Sequence, residues 1–509
     1  MTKQIQPPNN RFIHAFWVGS LLFHACSGIS KNVDLPTEAP IAGNPIFIPE
    51  ITEAAQTPLP SRPSYKPGEI VDYIAQSGDS LPALASRFNT SVEEILDSNP
   101  NIPTDATTMP PGMPMKMPIY YRALWGNSFK VLPDSAYLNG PTVVGFNTSA
   151  FVASQPGWLK DYQDYPSELG ATRSRAKLSG AEIVDYIATN YSISPRVLLA
   201  ILEFQGGALS LPNPPVSKNL LGFKRLYYGS PYLQLVIAAN TLNNGYYGWR
   251  SGDLIHFELT DGSLVRPDPW QNAGSTALQY YFSRIYSGNL YAFATGPSGI
   301  YHTYTTLFGD PWDGEIDMIP GSLQQPDLSL PFRSDHVWSF TGGPHAGYGT
   351  GEPFAALDFA PPSDRSGCFI PHETDFATAL TDGLVVRSDS TGIALDLDMD
   401  GNERTGWVVY YLHLASNGRA PLGAMLHKGD PIGFPSCESG HATGTHVHIA
   451  RKYNGEWILA DGALSFKLDG WTAHNGSEAY LGTLTKGGLT ITACECSDRY
   501  SQIWLDLVE

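Results

Sequence analysis

The stretch GTHVHIARK, residues 444–452, sets His446 and His448 one residue apart in a run that reads as a β-strand. Side chains at i and i+2 of a strand leave the same face, so both imidazoles point one way and Val447 the other. Two imidazoles on one face suit a metal site or a proton-transfer site. The alternative is a half-exposed edge strand with two polar residues, and partners elsewhere decide between them. The same part of the chain holds His345 in GGPHAGYG, Asp358 in AALDFAPP and His413 in YYLHLAS.

The elements that must position these residues are strands. From Val337 onward the chain alternates short β-rich runs such as GLVVRSD, GIALDLD and WVVYYLHL with Gly, Asp, Asn and Pro, the pattern of antiparallel sheets. Taken in order, with a KGDPIG turn between YYLHL and GTHVH, these motifs resemble the lysostaphin-type and LytM-type zinc endopeptidases, and most closely the β-lytic metallopeptidases. The commoner branch of that group writes its first two ligands as H-x-x-x-D, whereas here Phe354 stands four before Asp358 and the separation is 358 − 345 = 13, the longer spacing of the β-lytic branch. The resemblance implies Zn2+ held by His345, Asp358 and His448 with a fourth position open, as in catalytic zinc sites. It further implies that His413 and His446 act as general base, water-orienting group or proton donor. The implied target is a peptide stem or cross-bridge of peptidoglycan, next to glycine.

Length and composition bound the rest. A chain of 509 residues exceeds one core and predicts roughly two to four domains. With 31 basic against 49 acidic residues the net charge is −18, and no basic stretch is available to displace phosphate counterions, which argues against nucleic acid. Lys3 and Arg11 precede an apolar run from Phe12 to Cys26, too short to span a bilayer, so residues 1–26 read as a signal peptide. LLFHACSG resembles a bacterial lipoprotein signal, which would make Cys26 the lipidated residue; a plain secretory signal is the other reading. Both imply export to the bacterial cell envelope or beyond, with membrane attachment only through such an anchor. Of the five cysteines, Cys368 and Cys437 can clip two loops of the C-terminal region, whereas a bridge between Cys494 and Cys496 is expected to be strained.

Residues 27–66, rich in Pro and Thr, read as a linker. Residues 67–121 read as strand, helix, helix, strand, with Ser80 and Ser91 as helix caps. They resemble a LysM domain, a βααβ module that binds N-acetylglucosamine-containing glycans, through Tyr73, Gly78-Asp79-Ser80, Asn99-Pro100 and a closing strand. The resemblance implies glycan contacts at Gly78, Asp79, Ser80, Asn99 and Pro100. Residues 122–325 read as a mainly helical middle domain: Ser179 and Ser194 are N-caps, Pro195 takes the first helical position and Gly206 ends that helix. Its stretch VLLAILEFQGG resembles the acid-bearing helix of lysozyme-like lytic transglycosylases, which marks Glu203 as a candidate second acid, although Phe204 replaces the small residue expected there. DLDMDGNE, with Asp396, Asp398, Asp400 and Gly401, matches the first half of a calcium loop, but its twelfth position is Trp407, and a plain hairpin turn is the competing reading.

The expected architecture is multidomain: the βααβ module, the helical middle domain, an antiparallel all-β metallopeptidase domain over 326–490, and a tail over 491–509. The expected function is an exported, LysM-targeted zinc endopeptidase acting on peptidoglycan glycan strands and peptide stems. A non-catalytic peptidoglycan-binding scaffold that regulates other hydrolases, or a glycan-cleaving enzyme working through the middle domain, are the alternatives.

Overall fold

The structure is a computed structural model that describes residues 62–120, 126–166, 177–225 and 227–505. The signal peptide, Cys26 and most of the linker fall outside those residues. No helix among the described residues is long and apolar enough to cross a membrane.

β1 (Glu69–Ile74), α1 (Leu81–Phe88), α2 (Val92–Ser98) and β2 (Pro114–Ile119) form the first unit, with β1 and β2 antiparallel around Tyr73, Leu84, Phe88, Ile95 and Met117. Ser91 and Glu94 make a reciprocal capping box on α2, while Ser80 stands at the start of α1 without a side-chain cap bond. Next come α3 (Gly180–Tyr191), opened by a second capping box from Ser179 and Glu182, and α4 (Pro195–Gly206), with Pro195 in its first turn. α4 ends at Gly206, as expected, and the next residue, Gly207, caps it at φ 54 in the left-handed region. α5 (Pro231–Ser251) runs against α6 (Ala273–Ser283), and Asp261-Gly262 lies between the two short strands of a hairpin.

The C-terminal region is built on β3 (Val337–Ala346), β4 (Phe354–Ala360), β5 (Gly383–Asp389), β6 (Gly392–Asp396), β7 (Trp407–Leu412) and β8 (Val447–Tyr453). In space the order is β5-β6-β7-β8-β4-β3, with antiparallel pairing throughout and Gln502–Trp504 beside β3. The layout is thus multidomain with antiparallel sheets. Alternation along the central strands feeds two cores: Val409, Tyr411, Val447, Ile449, Leu357 and Phe359 face one, whereas Tyr410, Leu412 and Ala450 face the helices. His448 shares the face of Ala450, so the histidine side of the sheet is the side turned to the helices.

Cys368 is bonded to Cys437, and Cys494 to Cys496. The second pair supplies partners that the sequence left open; a tight turn brings the Cys496 amide to the Cys494 carbonyl, with the Cα atoms 5.0 Å apart.

Candidate metal centre

Strand register brings the chemistry together. His448 on β8 lies directly across from Asp358 on β4 and from Leu412 on β7. His413 follows Leu412 at φ 59, and this left-handed residue turns the chain as the strand ends. β3 reaches the site through register shifts between Phe340 and Ala346, which aim His345 at the same point. Gly342 lies opposite Asp358, and a Cβ there would meet Asp358 Oδ2 at 2.5 Å, so glycine is the residue that leaves the carboxylate room.

Each of four histidines gives one ring nitrogen to a backbone carbonyl: His345 Nδ1 to Gly343 at 2.8 Å, His448 Nε2 to Gly347 at 3.1 Å, His446 Nδ1 to Gly444 at 2.8 Å and His413 Nδ1 to Glu438 at 3.0 Å. A carbonyl oxygen only accepts, so those nitrogens carry the protons and the opposite nitrogens present lone pairs. His345 Nε2 and His448 Nδ1 then face each other at 3.0 Å, each 3.3 Å from Asp358 Oδ1. Asp358 Oδ1 is buried with no hydrogen-bond donor. Three lone pairs this close repel one another unless a cation lies among them, so the residues present fit a metal ion.

His446 stands beside this set, its Nε2 3.7 Å from Asp358 Oδ2, and its ring centroid is 4.5 Å from that of His413. Burial opposes charge on Asp358, yet His345 and His446 hold its carboxyl well below the usual range. Burial, with His446 and His448 nearby, drives His413 well below the ordinary imidazole value, and burial lowers His448 as well. For His345 burial pulls downward, but the Asp358 carboxylate outweighs it and the net shift is upward.

The site opens into a cleft of about 1160 Å³. One wall is the sheet with Tyr480, whose ring stacks on His345 at 4.1 Å; the other includes Tyr228, Leu233, Ile237 and Asn240 from α5 and the loop before it. Neither Tyr480 nor the α5 wall was marked by motif or spacing.

Other sequence candidates sit elsewhere. Glu203 Oε2 accepts from the amides of Leu209 at 2.7 Å and Ser210 at 3.2 Å and does not line the cleft, so the candidate second acid is a cap on the turn after α4. Asp79 is buried and accepts from Tyr73 Oη, the Gln76 amide and Arg87 at 2.6, 2.7 and 2.6 Å. Asn99, also buried, ties Ile95 to Lys116. These two expected glycan contacts are scaffold residues of the module. Gly78 packs against the Arg250 guanidinium, Ser80 is half-buried and Pro100 is exposed.

Comparison with known proteins agrees with this layout. Residues 73–118 match the LysM domain model and residues 130–322 match the model of the LasA N-terminal domain. Protease LasA of Pseudomonas aeruginosa is 23% identical over 359 residues, covering 65% of this chain and 76% of the relative. Among solved structures, the deep-sea M23 metalloprotease pseudoalterin is 23% identical, with 33% of this chain and 96% of that one covered at a TM-score of 0.28. The catalytic domain of lysostaphin from Staphylococcus simulans is 19% identical, with 25% and 90% covered at a TM-score of 0.17. In its match to the LysM model, its match to the LasA N-terminal model and its likeness to protease LasA, the chain is similar to a LasA-type protease that carries a LysM module.

Proposed function

We propose that this protein is a zinc endopeptidase that cuts peptide bonds of peptidoglycan, next to glycine, at or outside the cell envelope, with its LysM module contributing glycan affinity. The observation that carries the reading is the convergence of His345 Nε2, His448 Nδ1 and Asp358 Oδ1, a buried two-nitrogen, one-oxygen donor set. Three protein ligands with an open side are the donor set of catalytic rather than structural zinc.

Zinc, when bound there, supplies a Lewis acid that polarises a scissile carbonyl and makes water more acidic. The chain does the rest. Gly343 and Gly347 fix the tautomers of the two ligand histidines. Gly444 and Glu438 do the same for His446 and His413, leaving both Nε2 atoms free for proton transfer. Burial keeps His413 neutral near pH 7, so its Nε2 is open to accept a proton, and His446, with its ring beside it, serves the other half of the transfer. The cleft wall from α5 holds the substrate segment over these groups, which gives the helical region a role that needs no second active site.

Mass spectrometry of material released from purified peptidoglycan tests this reading. The expected products carry new peptide termini. Anhydro-sugar ends without peptide cuts would point instead to a glycan-cleaving enzyme, and no products to a scaffold.

A further inference from the structure

Away from the histidines, the turn joining β6 to β7 gathers a second set of donors. The carboxylates of Asp396, Asp398 and Asp400 lie within 4.8 Å of one another. Asp398 and Asp400 are exposed, but Asp396 is fully buried at 0 % exposure. Its Oδ2 accepts from the Gly401 amide at 2.9 Å, while its Oδ1 has no hydrogen-bond partner. An unsatisfied carboxylate oxygen in a protein interior is costly, and this carboxylate lies beside two more. The cations of the neighbourhood are engaged elsewhere: Arg387 pairs with Glu403 at 2.9 Å, and Arg404 donates to Asn139 at 2.9 Å. The chain also makes room for the acids, since a Cβ on Gly406, at φ 60, would collide with the Asp398 carboxylate.

We propose that the Asp396–Gly401 turn is a calcium-type divalent-cation site, held by the carboxylates of Asp396, Asp398 and Asp400. Oxygen-only donors at alternate positions followed by glycine suit a hard cation, and they distinguish this turn from the nitrogen-rich histidine site. Trp407 stands where a calcium loop places its bidentate glutamate, so water completes the shell and the affinity falls in the weak range, a Kd of about 10⁻⁴–10⁻³ M. The same turn ties the sheet to the helices through Arg404 to Asn139 and through Arg387, which pairs with Glu403 and donates to Asn190 at 3.2 Å. A cation there would therefore stiffen the junction on which the cleft is built.

Calcium chloride titrated into the full chain carrying its active-site metal tests the proposal, with calorimetry and thermal unfolding as readouts. One saturable calcium per chain is expected, with a rise of about 2–4 °C in Tm at ten times Kd. Asp398→Asn and Asp400→Asn, both at exposed positions, should be at least as stable as the wild type without calcium, since each removes one of three crowded negative charges, and should bind calcium about tenfold or more weakly. The competing explanation is a proton shared between Asp396 and Asp398. In that case calcium has no effect on the wild type, and Asp396→Asn, which supplies its own donor, is neutral or stabilising; either an unresponsive wild type or calcium uptake unchanged in Asp398→Asn overturns the site.

Discussion

His446, just before β8, and His448 within it lie two residues apart, yet they turn different atoms to Asp358. His448 brings Nδ1 to Oδ1 at 3.3 Å, inside the donor cluster, while His446 brings Nε2 only to within 3.7 Å of Oδ2. The two should therefore fail differently. His448→Ala removes a ligand, so bound metal and hydrolysis fall together. His446→Ala leaves three donors, so metal stays near one per chain while turnover drops by about 10². Metal analysis beside hydrolysis of a glycine-rich peptide checks both; loss of metal from the His446 variant would contradict the assignment. The residue types and their order were legible because strand periodicity is local, and H-x-H needs only two positions. Which nitrogen each ring offers was not, because the deciding carbonyl of Gly347 lies 101 residues from His448.

At the scale of elements, the loop from 347 to 353 connects β3 to β4 and is seated on α5: Asn240 Oδ1 accepts from the Thr350 amide at 2.7 Å, and Asn244 Oδ1 from the Glu352 amide at 2.8 Å. Burial, with a smaller contribution from Asp253, pushes Glu352 up to about 7, against the Phe354 amide that favours its charged form. A carboxyl with a raised folded-state pKa gives stability that is complete below the unfolded value near 4.5 and is lost as pH rises through about 7. Glu352→Gln should therefore match the wild type near pH 4.5 and be more stable at pH 8 by about 2 kcal/mol, allowing for its partial exposure. Urea denaturation at the two pH values reads the difference, and an equal gap at both would contradict it. Helix starts were legible in sequence, since the Ser91-Glu94 and Ser179-Glu182 boxes close within one turn. The hydrogen bonds of Glu203 were not legible, because the turn whose amides its carboxylate accepts from begins only after the helix ends. The bulges of β3 gave no sequence signal, being set by pairing with β4.

At the scale of the whole molecule, Arg250 at the end of α5 joins three regions. It donates to the Ser77 carbonyl of the LysM module at 2.5 Å and to Asp134 at 2.9 Å and Glu456 at 3.2 Å, all buried except at the Ser77 end. Arg87 of the module donates in turn to the Trp249 carbonyl at 2.9 Å, and Thr108 to the Pro320 carbonyl at 2.7 Å. The module is wedged against its neighbours, a packing that the order of motifs along the chain could not convey. Arg250→Met would leave the buried carboxylates of Asp134 and Glu456 without their ion-pair partner and should cost about 3–5 kcal/mol in chemical denaturation. The proposed activity rests on a metal held by the His345, Asp358 and His448 set and used to cut peptidoglycan peptides. Its most direct measurement follows new amino groups released from purified peptidoglycan by the intact chain, then by the chain stripped with a chelator, then after zinc is returned. Cutting is expected to stop on stripping and to return at about one zinc per chain; an undiminished rate from the stripped protein would contradict a metal-dependent site.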